Sequence, residues 1–169
     1  SPDEYDSMFE AYVNRVAEGS VLDQLRHQVE RSRMLFQGLS EEQGNFAYAP
    51  DKWSVKRLLQ HLTDGERMFC YRAMCIARGD TVELPGFDEV PYAENDGSEA
   101  RTLTSILEDF LAVRAATLTL FGGFADAVWT RRGIANGSPV TVRALLWIIA
   151  GHELHHTAVL RERYNIGIE

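Results

Sequence analysis

The chain has 169 residues, 45% of them hydrophobic, with two cysteines, a formal net charge of −8 and a sequence pI of about 5.1. That length supports the core of one domain, taken as 1–169, without disulfide staples, and the acidic balance excludes the positive field that nucleic-acid backbones and anionic lipid attract. The longest strongly apolar run, Ala144–Ala150, is far short of the roughly 18 residues that span a bilayer, and the N-terminal SPDEYDSMFE is acidic rather than signal-like, so a soluble, cytoplasmic protein with no membrane partner is expected.

Tyr5, Met8, Phe9, Tyr12, Val13 and Val16 recur at three- and four-residue steps and predict a helical arm over about 4–17, ended by Gly19. Ser20 is the expected N-cap of a longer helix, about 21–38, whose apolar stripe holds Val21, Leu25, Val29, Met34 and Leu35 and leaves His27 on the surface. The connection Ser40–Lys52 carries turn-favouring Asn45, Pro50 and Asp51, and Ser54 caps the next helix, about 55–78. His61 falls on or at the edge of its buried stripe of Leu58, Leu62, Phe69 and Ile76. Cys70 and Cys75 lie about 140° apart around that helix. They do not pair, and read as small apolar side chains in or near the core.

Gly79–Gly97 has no sustained period and reads as a long loop that Leu84, Phe87 and Tyr92 could fold back over a bundle end. Ser98 opens the following helix, which Gly122-Gly123 stops. Asn136-Gly137 predicts a tight turn in a small hairpin, and Thr141 caps the last helix, about 142–163, with Leu145, Leu146, Ile149, Val159 and Leu160 buried. Four long amphipathic helices predict an all-α, four-helix bundle, with the short arm before it and the hairpin ahead of its last helix.

The last helix carries three of the five histidines. His152 and His156, four apart, continue its apolar stripe and can aim at one point, while Glu153 and His155 fall about 80° to either side. Three neutral imidazoles, His61, His152 and His156, would suit zinc, nickel, copper or ferrous iron with a coordination position left open; manganese is a further candidate. Spacing alone equally admits three core histidines satisfied by hydrogen bonds. The letters His152-Glu153-Leu154-His155-His156 also satisfy H-E-x-x-H, in which the Glu is a general base. Val159 and Glu162 stand where the extended protease pattern needs Gly and His, and a helical chain supplies no strand-edged substrate cleft.

The runs YAPDKWSVKRLLQHLTDGERMFCYRAMCIARGD, LPGFDE, SVLDQLRHQVERSRMLFQGLS and RRGIANGSPVTVRALLWIIAGHELHHTAVLRERY resemble the DinB family of DinB/YfiT-like metalloenzymes over nearly the whole chain. The pairing of Trp53-Ser54 and a histidine eight residues after the Trp with a late H-E-x-H-H is the specific part. The resemblance implies a four-helix bundle, often a homodimer, with a divalent metal held by His61, His152 and His156. Zinc or nickel leads among the candidate ions.

Members of the wider superfamily include thiol-dependent S-transferases and the mycothiol-dependent maleylpyruvate isomerase. An open metal site explains such chemistry, since it lowers the pKa of a bound thiol or water. The resemblance therefore implies a small-molecule substrate, possible use of a low-molecular-weight thiol, and thiol transfer or hydrolysis. The expected alternative is a non-catalytic metal- or small-ligand-binding stress-response bundle. Glu153 and Asp64 are the candidate bases or imidazole-orienting groups, against solvated surface carboxylates as the plainer reading.

Overall fold

The computed structural model describes residues 2–167. In chain order they form a 3-10 turn at Pro2–Glu4 and another at Ser7–Phe9, α1 (Glu10–Val13), α2 (Val21–Gln37), α3 (Glu41–Asn45), α4 (Val55–Ala77), α5 (Glu89–Glu94), a 3-10 turn at Ser98–Ala100, α6 (Leu103–Gly122), a 3-10 turn at Asp126–Val128, β1 (Arg132–Ala135), β2 (Ser138–Thr141) and α7 (Val142–Arg163). The long helices α2, α4, α6 and α7 make the expected bundle. Each begins where a hydroxyl accepts the third-residue N–H: Ser20 from Asp23, Ser54 from Arg57, Thr102 from Ser105 and Thr141 from Ala144.

Thr102, not Ser98, starts α6. Asp96 accepts the Ser98 N–H at 2.8 Å in a local turn, and Arg101 then turns extended, which ends the 3-10 segment before the helix begins. The N-terminal arm is also not one continuous helix. Asp6 caps the turn Ser7–Phe9, and α1 lasts a single turn, because the arm's polar groups bond to the hairpin rather than continue a helix. Ser138 Oγ donates to Asp6 Oδ2 at 2.6 Å, and Glu4 accepts from Thr141 and Arg143. Tertiary bonds here override the local period.

The connection 40–52 folds α3 through a capping box between Ser40 and Gln43. The loop after α4 returns over the hairpin: Leu84 N–H donates to Ile134 O and Asn136 N–H to Leu84 O, and Leu84 is buried. Tyr92 stays largely exposed. β1 and β2 are antiparallel around Asn136 and Gly137, both with positive φ. Met34, placed on the buried stripe by its spacing, is 62% exposed. Both cysteines are free.

The apolar core divides in two. One part gathers Val21, Leu25, Phe69, Ile76, Phe121 and Leu145; the other gathers Leu35, Phe36, Leu58, Leu62, Phe110 and Leu160. α2 and α7 pass from the first to the second, α4 and α6 from the second to the first. α4 therefore runs parallel to its neighbour α6, which requires the long crossover 78–102. Between the two cores every long helix contributes buried polar groups: Gln28 and Ser32 on α2, His61 and Glu66 on α4, Arg114 and Thr117 on α6, His152 and Glu153 on α7. This mid-bundle polar layer holds the candidate site.

Candidate metal centre

His61 on α4 and His152 and His156 on α7 converge in that layer. Their ring centroids form a nearly equilateral triangle, 4.8 Å from His61 to His152, 4.9 Å from His61 to His156 and 4.7 Å from His152 to His156. One nitrogen of each lies within 4.8 Å of the other two, and the Nε2 atoms of His61 and His152 are 2.9 Å apart. Among the described residues no further His, Cys, Asp or Glu joins this group.

Two glycines make the convergence possible. A Cβ on Gly65 would lie 3.1 Å from His152 Cε1, so α4 leaves room there for the imidazole. A Cβ on Gly151 would lie 2.1 Å from the Tyr12 carbonyl oxygen, so the arm backbone rests directly on α7 beside His152. Tyr12 then covers the histidines, its ring 5.2 Å from His152 and 5.1 Å from His155. Trp53 packs 4.8 Å from His61, and Phe69 flanks His152.

Burial in this aromatic shell disfavours the charged imidazolium. It pushes His61 down to about 4, and His156, where the neighbouring histidines add to it, down to about 3. His152 is lowered for the same reasons, burial first. All three are neutral near pH 7, the form that ligates a metal.

The donor set fits a divalent ion. Nitrogen ligands about 2.0–2.1 Å from a tetrahedral ion lie about 3.3 Å apart, and the nitrogens here lie within 4.8 Å of one another, the His61–His152 pair 2.9 Å apart. His156 Nε2 is buried with no hydrogen-bond partner among the described residues. A satisfied core histidine would have one. His155, half-buried and packed on Tyr12 and His156, stands outside the group.

The two candidate carboxylates go elsewhere. Glu153, one residue after His152, is 2% exposed rather than solvated. It accepts a 2.5 Å hydrogen bond from Ser32 Oγ, and its other oxygen lies 2.7 Å from Arg114 Nη1, a close ion pair. Arg114 is completely buried and also clamps Glu66, Nε to Oε1 at 2.8 Å and Nη2 to Oε2 at 2.7 Å, with Thr117 Oγ1 donating to the same Oε1 at 2.6 Å. Burial opposes the charge on Arg114, but the two carboxylates outweigh it and raise the pKa. Asp64 is half-buried and accepts from Gln60 and Arg67; burial raises its pKa.

A cavity of about 130 Å³ adjoins the triad on the side of the arm, hairpin and crossover loop. His61 and His152 form one wall, with Tyr12, Phe69, Leu145 and Arg72 around it; neither Glu153 nor Asp64 lines it.

Arg114, Ser32 and Tyr12 escaped the reading of the sequence. Arg114 had a signal, since it stands four residues after Phe110 and seven after Leu107, on the apolar stripe of α6 where a charge has to be paired.

The sequence model of the DinB superfamily matches residues 24–160. No curated protein matches the sequence. Among solved structures, YfiT from Bacillus subtilis, described as "a probable metal-dependent hydrolase with an unusual four-helix bundle topology", aligns with TM-score 0.70 at 16% identity, covering 99% of this chain and 94% of that one. A mycothiol-dependent maleylpyruvate isomerase aligns with TM-score 0.69 at 10% identity, covering 85% of this chain and 61% of the isomerase. A DinB-like protein from Bacillus cereus aligns with TM-score 0.64 at 15% identity over 88% of this chain and 93% of that one. At these identities the likeness is one of fold.

Proposed function

The chain belongs to the DinB superfamily, and from that membership and the geometry of its histidines we propose that it is a metal-dependent enzyme in which His61, His152 and His156 hold one divalent ion, zinc or nickel by preference. The carrying observation is the triangle of three neutral imidazoles, His61 and His152 buried and His156 half-buried, with no fourth protein ligand in the group among the described residues and a cavity against two of its members. A bound divalent ion would supply Lewis acidity that lowers the pKa of a thiol or water at the open position. Thiol transfer to a small electrophile is the leading reaction, with hydrolysis of a small substrate next. The mycothiol-dependent relative supports the first and YfiT the second.

The protein's own groups bind and exclude water. Tyr12, Trp53 and Phe69 cover His61 and His152, and exclusion of water there strengthens electrostatic interactions inside. Glu153 enters as a positioning group rather than a base: it ties α7 to α6 through Arg114 and to α2 through Ser32, fixing the backbone that presents His152, whereas Asp64 is held by Gln60 and Arg67 away from the cavity. A cytoplasmic homodimer completes the proposal. No described helix is long and apolar enough to cross a membrane.

The test is elemental analysis of tag-free protein, expected at close to one divalent ion per chain and lost in His61→Ala and His152→Ala. Turnover follows with a panel of thiols and electrophiles and of hydrolysable esters and amides, metal-stripped protein as control. Unchanged metal in both variants, or no metal-dependent turnover across the panel, overturns the reading.

A further inference from the structure

Among the described residues the bundle buries two arginines on the inner faces of its helices, and only one has a counter-ion there. Arg114 has two carboxylates. Arg72, on α4 and 5% exposed, has none among the described residues. Its Nη2 donates to the Pro85 carbonyl at 2.7 Å, its Nε is buried without a partner, and its Cζ stands 6.0 Å from the ring centres of both Phe69 and Phe87. Burial alone acts on its pKa, and lowers it. A buried charge held this way is costly unless an anion completes it.

Arg72 lines the cavity beside His61 and His152. Two carboxylates line it as well. Asp6 has both oxygens occupied, by the Met8 N–H and Ser138 Oγ, and Glu89 lies exposed in the first turn of α5. A divalent ion at the triad offsets those two charges and leaves that of Arg72 over. We propose that this cavity takes a small substrate carrying a carboxylate, which Arg72 grips while the apolar remainder lies against Phe69, Leu145 and Ile148, next to the triad. The inference rests on the metal-enzyme reading for the charge balance of the cavity and for what is done to the substrate, and on Arg72 for the group that is gripped. The cavity, about 130 Å³, is of the same order as the apolar cavity of about 150 Å³ that takes a benzene ring.

Benzoate and its neutral isostere benzamide are the probes, titrated calorimetrically into metal-loaded and metal-stripped wild-type protein, Arg72→Gln and Arg72→Lys, with benzenesulfonate to separate a planar carboxylate from a bulkier oxyanion. Wild type is expected to bind benzoate about ten-fold or more tighter than benzamide, and tighter than benzenesulfonate. Arg72→Gln should remove the preference with metal content unchanged, and Arg72→Lys should keep only part of it. Equal binding of benzoate and benzamide by wild type, no saturable binding of benzoate, or a preference intact in Arg72→Gln overturns the proposal, and the wild-type comparison decides even if neither variant folds. One ion per chain without the preference sinks this inference alone; the preference in protein that takes up no divalent ion sinks the metal reading alone.

Discussion

Arg114 Nη1 on α6 lies 2.7 Å from Glu153 Oε2 on α7, one residue along the chain from His152. Because Glu66 on α4 holds the other edge of the same guanidinium, a single side chain joins three helices of the bundle. Arg114→Leu would leave two carboxylates buried without compensation, and the expected loss is about 3–5 kcal/mol in denaturant unfolding. Glu153→Gln keeps the shape and the Ser32 contact, so a smaller loss is expected, with metal content retained. If Glu153 were a general base, its Gln variant would fold and load normally yet lose about 100-fold or more in turnover. Measuring unfolding, metal content and rate on the same preparation separates the two roles.

Gly151 lets the arm close on the site. Since a Cβ there meets the Tyr12 carbonyl at 2.1 Å, Gly151→Ala must lift the arm or bend α7. The arm is the weaker partner, a 3-10 turn and one helical turn against a helix of 22 residues. Overpacking of this kind costs about 1–3 kcal/mol. Faster amide exchange is expected in the arm, with α7 protected as before, and metal exchange should quicken because Tyr12 no longer covers His152. Unaltered exchange in the arm would show that it does not depend on this contact.

The bundle and the histidine pair were legible because both follow from helical period. Apolar stripes set the four helices, and His152 and His156 sat on one of them. His61 was legible as a histidine facing other helices; its partners, His152 and His156, came from the family resemblance, since nothing local says which stripe meets which. The arm and the start of α6 misread for a related reason: Asp6, Glu4 and Thr102 take partners that decide the local conformation, and three of those partners, Ser138, Thr141 and Arg143, lie more than a hundred residues away. Arg114 and Glu66 were readable as charges on apolar stripes, but only the fold shows them paired.

Cys70 illustrates how burial silences a thiol. Its sulfur lies 3.1 Å from Thr117 Oγ1, and burial pushes its pKa up to about 11. Thiolate is the reactive form, so Cys70 should resist disulfide reagents near pH 8 in the folded protein and react on unfolding. Peptide mapping after brief labelling checks this; rapid labelling of Cys70 in the native state would contradict it.

The histidines also set the acid response of the metal-free protein. In the unfolded chain each imidazole takes up a proton near its ordinary 6.5, whereas in the fold burial holds His61 down to about 4 and His156 to about 3. Between those values the unfolded state binds more protons, so stability is full above about pH 7 and falls as the pH drops through 6.5 towards 4. Carboxylates held below their ordinary values contribute lower down: Glu4, lowered chiefly by its hydrogen bond from Arg143, gives its share up only as the pH falls below its ordinary 4.5. The interval from 6.5 to 4.5 therefore reports mainly on the imidazoles. Urea midpoints of metal-stripped protein at about pH 5 and pH 7.5 should differ, and His156→Leu should shrink the difference by removing one of the groups that must stay neutral. A bound ion, which competes with those protons, should steepen the loss, because acid then releases it as well. Midpoints that coincide at the two pH values would mean that the histidines are not held neutral by burial.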